Sequence, residues 1–199
     1  MSKQKVLVAG ATGYLGQYLV KELKKRGFWV RVLIRNEHQK DKFNAVDDFF
    51  IGQITEPESL HGITKNIDLV FTTIGITRQK DGMTYMDVDY QGNSNLLKES
   101  LKDRVKSFQY ISAMNGDKHR NLKIFEAKEK FVDELKDSKI NHCVLRPNGF
   151  FSDMKDFLNM ARGGSVYLFG HGRFKLNPIH GEDLAKVCVD SMIQGIKEE

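Results

Sequence analysis

Cysteine is scarce in this 199-residue chain: only Cys143 and Cys188 occur, each inside an apolar stretch (His142-Cys143-Val144-Leu145 and Val187-Cys188-Val189). That excludes a disulfide scaffold or a thiolate metal site as the basis of the fold, and thiols so placed act as small hydrophobes in a reducing compartment. No apolar run approaches the roughly 18 residues that a membrane-spanning helix needs. The basic N-terminal residues lead straight into an apolar segment at 6–8, which is not how a secretory leader is built. Low-complexity tails and internal linkers are lacking too. The expectation is a cytoplasmic protein with no membrane span. Charge of one sign is also in short supply: 31 Lys and Arg stand against 26 Asp and Glu, a formal balance of +5. The lysines lie beside acids, as in Lys21-Glu22, Lys98-Glu99 and residues 126–130. This is the pattern of solvated helix faces, so no nucleic-acid partner is expected.

What is present is enough for a core. With 40% hydrophobic residues over 199 positions, one domain spanning 1–199 is the expectation. Strand-like and helix-like segments alternate: strands at 6–9, 29–34, 49–51, 69–74, 107–112 and 142–146, and helices at 14–26, 90–101 and 125–136. The strands are nearly all apolar and do not alternate, which implies burial on both faces of a parallel sheet. A doubly wound α/β fold of the Rossmann type follows. The last fifth changes character. Gly163-Gly164, Gly170 and Gly172 surround a short strand at 166–169, and a helix is expected at 182–193. Residues 150–199 are therefore expected to form a small substrate-side lobe on the main sheet.

The most specific stretch is Lys5-Val6-Leu7-Val8-Ala9-Gly10-Ala11-Thr12-Gly13-Tyr14-Leu15-Gly16. An apolar strand feeds a three-glycine turn that opens a helix carrying Leu15, Leu19 and Leu23 on one side. The first glycine permits the turn, the second lets backbone approach a phosphate, and the third lets the helix lie close to the strand. Unpaired N–H groups and the helix dipole then face an anion. A dinucleotide site follows, with Gly10, Thr12, Gly13, Tyr14, Leu15 and Gly16 as candidate cofactor contacts. About 20 residues beyond such a turn, an acidic side chain would hold the ribose 2′-hydroxyl of NAD. Here the second strand ends Ile34-Arg35-Asn36. Arg35 cannot accept those hydrogen bonds, and its fork of donors suits a 2′-phosphate, with Lys40 or Lys42 nearby. NADP(H) is favoured, and NAD(H) is the alternative.

The chain resembles the atypical short-chain dehydrogenase/reductase superfamily, and within it the NmrA-like NAD(P)H-binding proteins. The likeness covers almost the whole length. It rests on Gly10-Ala11-Thr12-Gly13-Tyr14-Leu15-Gly16, Val70-Phe71-Thr72-Thr73-Ile74-Gly75, Asp89-Tyr90-Gln91-Gly92-Asn93 and Tyr110-Ile111-Ser112-Ala113. Glu126-Ala127-Lys128, Leu145-Arg146-Pro147 and Ile179-His180-Gly181-Glu182-Asp183-Leu184-Ala185 complete it. The resemblance implies that Gly52-Gln53-Ile54 borders the adenine, with Gln53 where the family more often has Asp. It places Thr73, Ile74 and Gly75 along the middle of the cofactor, and Pro147, Asn148, Gly149 and Phe150 by the nicotinamide.

The resemblance also implies a catalytic pair, Tyr-x-x-x-Lys, in which the lysine binds ribose and lowers the pKa of the phenol that exchanges a proton with substrate. Lys128 matches the lysine, but the tyrosine position is Ile124. Ser112 matches the superfamily serine that binds the substrate oxygen, against the plainer role of a strand-end backbone cap. His119, Tyr85 and His180 are the other candidate proton donors at the same edge. Residues 75–85 hold more polar groups than a plain connection needs, with Arg78 and Lys80 as candidate contacts in a lid. Phe150, Phe151, Met154, Phe157, Leu158 and Met160 have helical spacing expected to serve packing, with a hydrophobic substrate wall as the other reading.

Three functions are compatible with this pattern. The first is an NADPH-dependent reductase of a small organic carbonyl, an activated double bond or a quinone-like acceptor. The second is a cofactor-binding sensor or scaffold with a regulatory protein partner and no turnover. A sugar-nucleotide epimerase or dehydratase comes third, since such enzymes need the missing tyrosine and a larger C-terminal domain. Either this is a short family member or a C-terminal segment completes the pocket.

Overall fold

The computed structural model describes residues 3–76, 82–167, 171–173 and 175–195. The elements run β1 (Lys5–Ala9), α1 (Tyr14–Lys25), β2 (Trp29–Ile34), β3 (Asp48–Ile51), β4 (Leu69–Thr72), α2 (Asn93–Lys102), β5 (Ser107–Ile111), α3 (Lys123–Asp137), β6 (His142–Leu145), α4 (Met154–Arg162) and α5 (Gly181–Gln194). All six strands are parallel, in the order β3-β2-β1-β4-β5-β6. The chain winds outward from β1 to β3, then returns to β4 on the other side of β1. The crossovers therefore part beyond the carboxyl ends of β1 and β4, and open α/β sheets bind ligands at that switch point. The Rossmann-type sheet predicted from the apolar strands is the fold observed.

Successive residues of β1 face opposite layers, and each face meets its own helices. Val6 and Val8 pack with Leu15, Leu19 and Leu23 of α1 and with Leu184 and Cys188 of α5. Leu7 and Ala9 pack on the other face with Leu96 and Leu97 of α2 and with Phe131 and Leu135 of α3. Burying each such aliphatic side chain contributes about 1.5–3 kcal/mol. Because α5 lies on α1, residues 181–194 belong to the main core, while residues 151–167 lie outside it.

Three expectations need correction. The helix expected from residue 90 begins earlier, as a π-helical turn at Met86–Gly92 that leads into α2. The wider turn carries Asp89 to full burial, and Asp87 and Thr84 close its start, with the Thr84 N–H donating to Asp87 Oδ2 at 2.9 Å and the Asp87 N–H to Thr84 Oγ1 at 3.2 Å. The apolar spacing at 150–160 does produce a helix, α4, yet none of its residues is buried, and Phe151 and Leu158 are about half exposed. No other helix or strand among the described residues packs closely on it, so the expected packing role is not realised. Of the strand expected at 166–169, residues 166 and 167 have no regular structure, and 168 and 169 lie outside the described residues. No helix among the described residues is long and apolar enough to cross a membrane.

Among the described glycines, the least room for a side chain is at Gly16. A Cβ there would stand 2.1 Å from the Gly10 carbonyl oxygen and 2.7 Å from Ala11 Cα. Gly16→Ala is expected to push α1 off β1 and lower stability by about 1–3 kcal/mol, the usual range for overpacking. The midpoint of urea unfolding measures it.

Candidate functional site

A cavity of about 420 Å³ lies at the switch point, within the roughly 300–1,000 Å³ of small-molecule sites. Gly10, Thr12 and Gly13 form one end, Arg35, Gln39 and Gln53 line the β2–β3 side, and Thr73, Ile74 and Gly75 form the wall beyond β4. At the first end Gly10 adopts φ +82°, and the Gly13 N–H closes the turn on the Gly10 carbonyl at 3.0 Å. No side chain caps the start of α1, and its first turn holds no acid. Its leading N–H groups thus remain available to a phosphate. Arg35 is exposed on the cavity rim, and its guanidinium has no ion-pair partner among the described residues. A cavity with an anion cradle at one end and a basic rim fits a nicotinamide dinucleotide.

Behind the wall, a Cβ on Gly75 would meet Asp89 Oδ1 at 2.7 Å and Lys128 Nζ at 2.8 Å. Only a bare Cα lets these two groups come up against the cavity. The Lys128 ammonium pairs with Asp89 Oδ1 at 2.7 Å, and Asp89 Oδ2 accepts the Ile76 N–H at 3.1 Å. Asn93 extends the network: its Nδ2 donates to the Asp89 carbonyl at 2.8 Å, and its Oδ1 accepts Thr72 Oγ1–H at 2.6 Å. The exit of β4 is thereby pinned to the π-helical turn. Beneath Lys128 lies the wholly buried Tyr110, its ring centre 5.8 Å from Nζ. Burial pushes the Tyr110 phenol up to about 12. Burial also works against the Lys128 ammonium, but Tyr110 and Asp89 outweigh it and hold its pKa above the ordinary value.

Ser112 sits in a second buried network that includes Glu129 of α3. Its hydroxyl donates to Glu129 Oε1 at 2.9 Å and accepts from Arg146 Nη1 at 3.4 Å. Arg146 also grips the Glu129 carboxylate with both Nη atoms, the second at 2.9 Å. The Ser112 proton is therefore already committed to an acid.

A family model described as NAD(P)H-binding matches residues 10–194. The chain belongs to the NAD(P)H-binding family. Among curated proteins it is 29% identical over 210 residues to the chloroplastic divinyl chlorophyllide a 8-vinyl-reductase of Arabidopsis thaliana, covering 95% of this chain and 50% of that one. It is 25% identical over 189 residues to the photosystem II assembly factor Ycf39 of Trieres chinensis, covering 94% and 59%. The chain thus spans about half the length of these relatives. The Bordetella bronchiseptica enzyme WbmH, solved in complex with NAD+, superposes with a TM-score of 0.82 at 16% identity over 96% of this chain and 73% of that one, a likeness of fold.

Against this family background the predicted site residues divide. Gly10, Thr12, Gly13, Arg35, Gln53, Ile54, Thr73, Ile74 and Gly75 meet on the cavity, with Lys128 behind Gly75. Tyr14 turns away: its hydroxyl accepts the Gly181 N–H at 3.2 Å and its ring stands edge-on to Phe150 and Tyr18. Leu15 is core and Gly16 is a packing contact. Pro147, Asn148, Gly149 and Phe150 follow β6 but do not line the cavity; the Gly149 carbonyl and Phe150 are tied to Ile179. His119 is exposed beside the Phe125 ring, Tyr85 precedes the π-helical turn, and His180 Nδ1 caps α5 by accepting the Glu182 N–H at 3.2 Å. None of the three lines the cavity. Arg78 and Lys80 lie outside the described residues. Gly52 also lines the cavity beside Gln53 and Ile54, and Ile76 and Met83 of the 75–85 segment join it, whereas sequence reasoning missed Leu33, Gln39, Thr55 and Val88 on the wall. It also missed the role of Asp89, whose one signal was an acid set in an otherwise half-apolar run, Met86-Asp87-Val88-Asp89-Tyr90.

Two outcomes follow. Glu129→Ala breaks the buried ion pair with Arg146 and removes the acceptor of the Ser112 hydroxyl, and should cost about 3–5 kcal/mol of stability, whereas Ser112→Ala removes one hydrogen bond and costs about 1 kcal/mol; urea unfolding compares them. Stability should also fall as pH rises from about 9 toward 12. The Tyr110 phenol and the Cys188 thiol are both raised to about 12 by burial, so the unfolded chain releases their protons first. Their contribution is complete below their unfolded values and is lost as pH climbs to the folded ones. Thermal melts across that range check it.

Proposed function

We propose that the protein is an NADPH-dependent reductase of a small organic acceptor: a carbonyl, an activated double bond or a quinone-like ring. The single observation that carries this reading is the continuous cavity from the helix N-terminus at Gly13 to the Gly75 wall with the Lys128 cation behind it. When bound, a reduced nicotinamide would supply the two electrons as a hydride and be oxidised, and the reduced acceptor would take up one proton. The chain itself binds and orients. Gly13 and the first N–H groups of α1 hold pyrophosphate, Gln53 and Ile54 border the base, and Lys128 reaches ribose hydroxyls past Gly75. The family resemblance implies Pro147, Asn148, Gly149 and Phe150 by the nicotinamide, although they lie off the cavity wall. Arg35, free at the rim, supports NADP(H) over NAD(H) because a guanidinium satisfies a 2′-phosphate with paired hydrogen bonds.

The named activity of the Arabidopsis relative, reduction of a vinyl group, supports a reductase. A second reading, cofactor binding without turnover in the service of a protein partner, is supported by Ile124 in the tyrosine position and by the committed Ser112 hydroxyl. The two buried, unbridged cysteines support the reducing, cytoplasmic setting.

Fluorescence titration with NADPH and NADH tests the cofactor. NADPH should bind more tightly, and Arg35→Ala should weaken it about 10–100-fold, the equivalent of the roughly 1.5–3 kcal/mol of a hydrogen bond to a charged group, with NADH nearly unaffected. Equal weakening of both, or tighter NADH binding by the native protein, overturns the assignment.

A further inference from the structure

Gln53 brings an uncommitted carboxamide to the cavity. In a doubly wound sheet the end of β2 faces the adenosine ribose, and the residue there is Arg35. The Gly52 N–H donates to the Ile34 carbonyl at 2.9 Å, so the exit of β3 runs beside the end of β2, on the side away from β1. Gln53 thus stands next outward from the ribose position, where the base would lie. Its main chain is pinned: the Gln53 N–H donates to Ser59 Oγ at 2.9 Å, and its carbonyl accepts the Glu56 N–H at 2.9 Å. A Cβ on Gly52 would meet the Ser59 carbonyl oxygen at 2.8 Å, so this turn closes on the strand exit only over a bare Cα. The side chain is left over. It lines the cavity, and its carboxamide makes no hydrogen bond to any described residue. The buried Leu33 and Ile54 line the cavity with it and offer apolar contact to a flat ring.

A carboxamide holds one acceptor oxygen and an NH₂ donor in one plane. Its terminal torsion is roughly two-fold, so oxygen and nitrogen exchange places at little cost. A purine presents a complementary pair at position 6 and N1. Adenine offers an amino donor and a ring acceptor, whereas hypoxanthine offers an oxo acceptor and an N1–H donor. One amide satisfies either base by turning over. A carboxylate, which only accepts, can satisfy the adenine amino group but not the hypoxanthine oxygen. Gln39 is the other carboxamide on the wall, but its Oε1 accepts the Arg35 N–H at 2.7 Å, which fixes its orientation. We infer that Gln53 sets the base specificity of this site and sets it broadly, so that the protein takes hypoxanthine dinucleotides as well as adenine dinucleotides. This rests on the dinucleotide assignment above and is independent of turnover.

Fluorescence titration of the full chain with NADPH and with reduced nicotinamide hypoxanthine dinucleotide phosphate tests it. The same pair without the 2′-phosphate is run in parallel, so that the result does not hang on Arg35. Within each pair the native affinities are expected to agree within about threefold, and Gln53→Ala should weaken both members about 5–30-fold, the loss of two neutral hydrogen bonds. Gln53→Glu should weaken the hypoxanthine member about 10–100-fold relative to the adenine member, because two acceptors then face each other. Repulsion of the new carboxylate by the 2′-phosphate, or its pairing with Arg35, falls on both members alike and cancels in the ratio. Native discrimination beyond about tenfold, native affinities retained in Gln53→Ala, or an unchanged ratio in folded Gln53→Glu overturns the inference and leaves the cofactor assignment standing. The native ratio decides against it even if neither variant folds. Binding of none of the four dinucleotides overturns the cofactor assignment as well.

Discussion

Both faces of a parallel sheet must be covered, because its crossovers are helices that lie on them and its strands are largely apolar. In this protein the reversal of winding between β1 and β4 parts the carboxyl edge of the sheet into a crevice. Everything functional is arranged about it. The glycine turn after β1, the basic rim after β2, the Gln53 loop after β3 and the pinned wall after β4 all meet there, though they are as much as 65 residues apart in the chain. The core sets the crevice, and the crevice sets which residues can act together.

Two buried polar networks flank α3 and serve different ends. Asp89, Lys128, Asn93 and Thr72 bind the exit of β4 to the π-helical turn and bring a cation up behind Gly75. Glu129, Arg146 and Ser112 bind the exits of β5 and β6 to α3. Both contain ion pairs, and neither pair has an obvious hydrophobic substitute, since one member of each must also satisfy backbone or hydroxyl groups. The first network reaches the cavity. The second stays behind it, which is why a serine at a strand end is better placed to hold the fold than to meet a substrate.

Much of the fold was legible in the sequence. Nearly all-apolar strands alternating with helices imply burial between two helical layers, so the parallel sheet followed from their pattern, and the run from Val6 to Gly16 located the anion cradle. Departures came where local pattern left a choice. The spacing at 150–160 marks an amphipathic helix, but spacing says nothing of what lies opposite, and α4 turns out exposed. The start of the helix after β4 moved because Asp89 is drawn inward by a lysine 39 residues further on. Tyr14 and Leu15 belong to the glycine motif by position, yet a helix presents its first residues on different sides, and theirs face α5 and the core.

The sequence by itself determined the doubly wound sheet, the glycine cradle and the basic residue at the end of β2, since each depends on neighbouring residues and on periodicity. Tertiary structure alone decided which polar groups are spent on one another. Lys128 with Asp89, and Ser112 with Glu129, are pairings across elements, and whether a side chain has a proton or a charge left for a ligand depends on partners that only folding brings within hydrogen-bond reach.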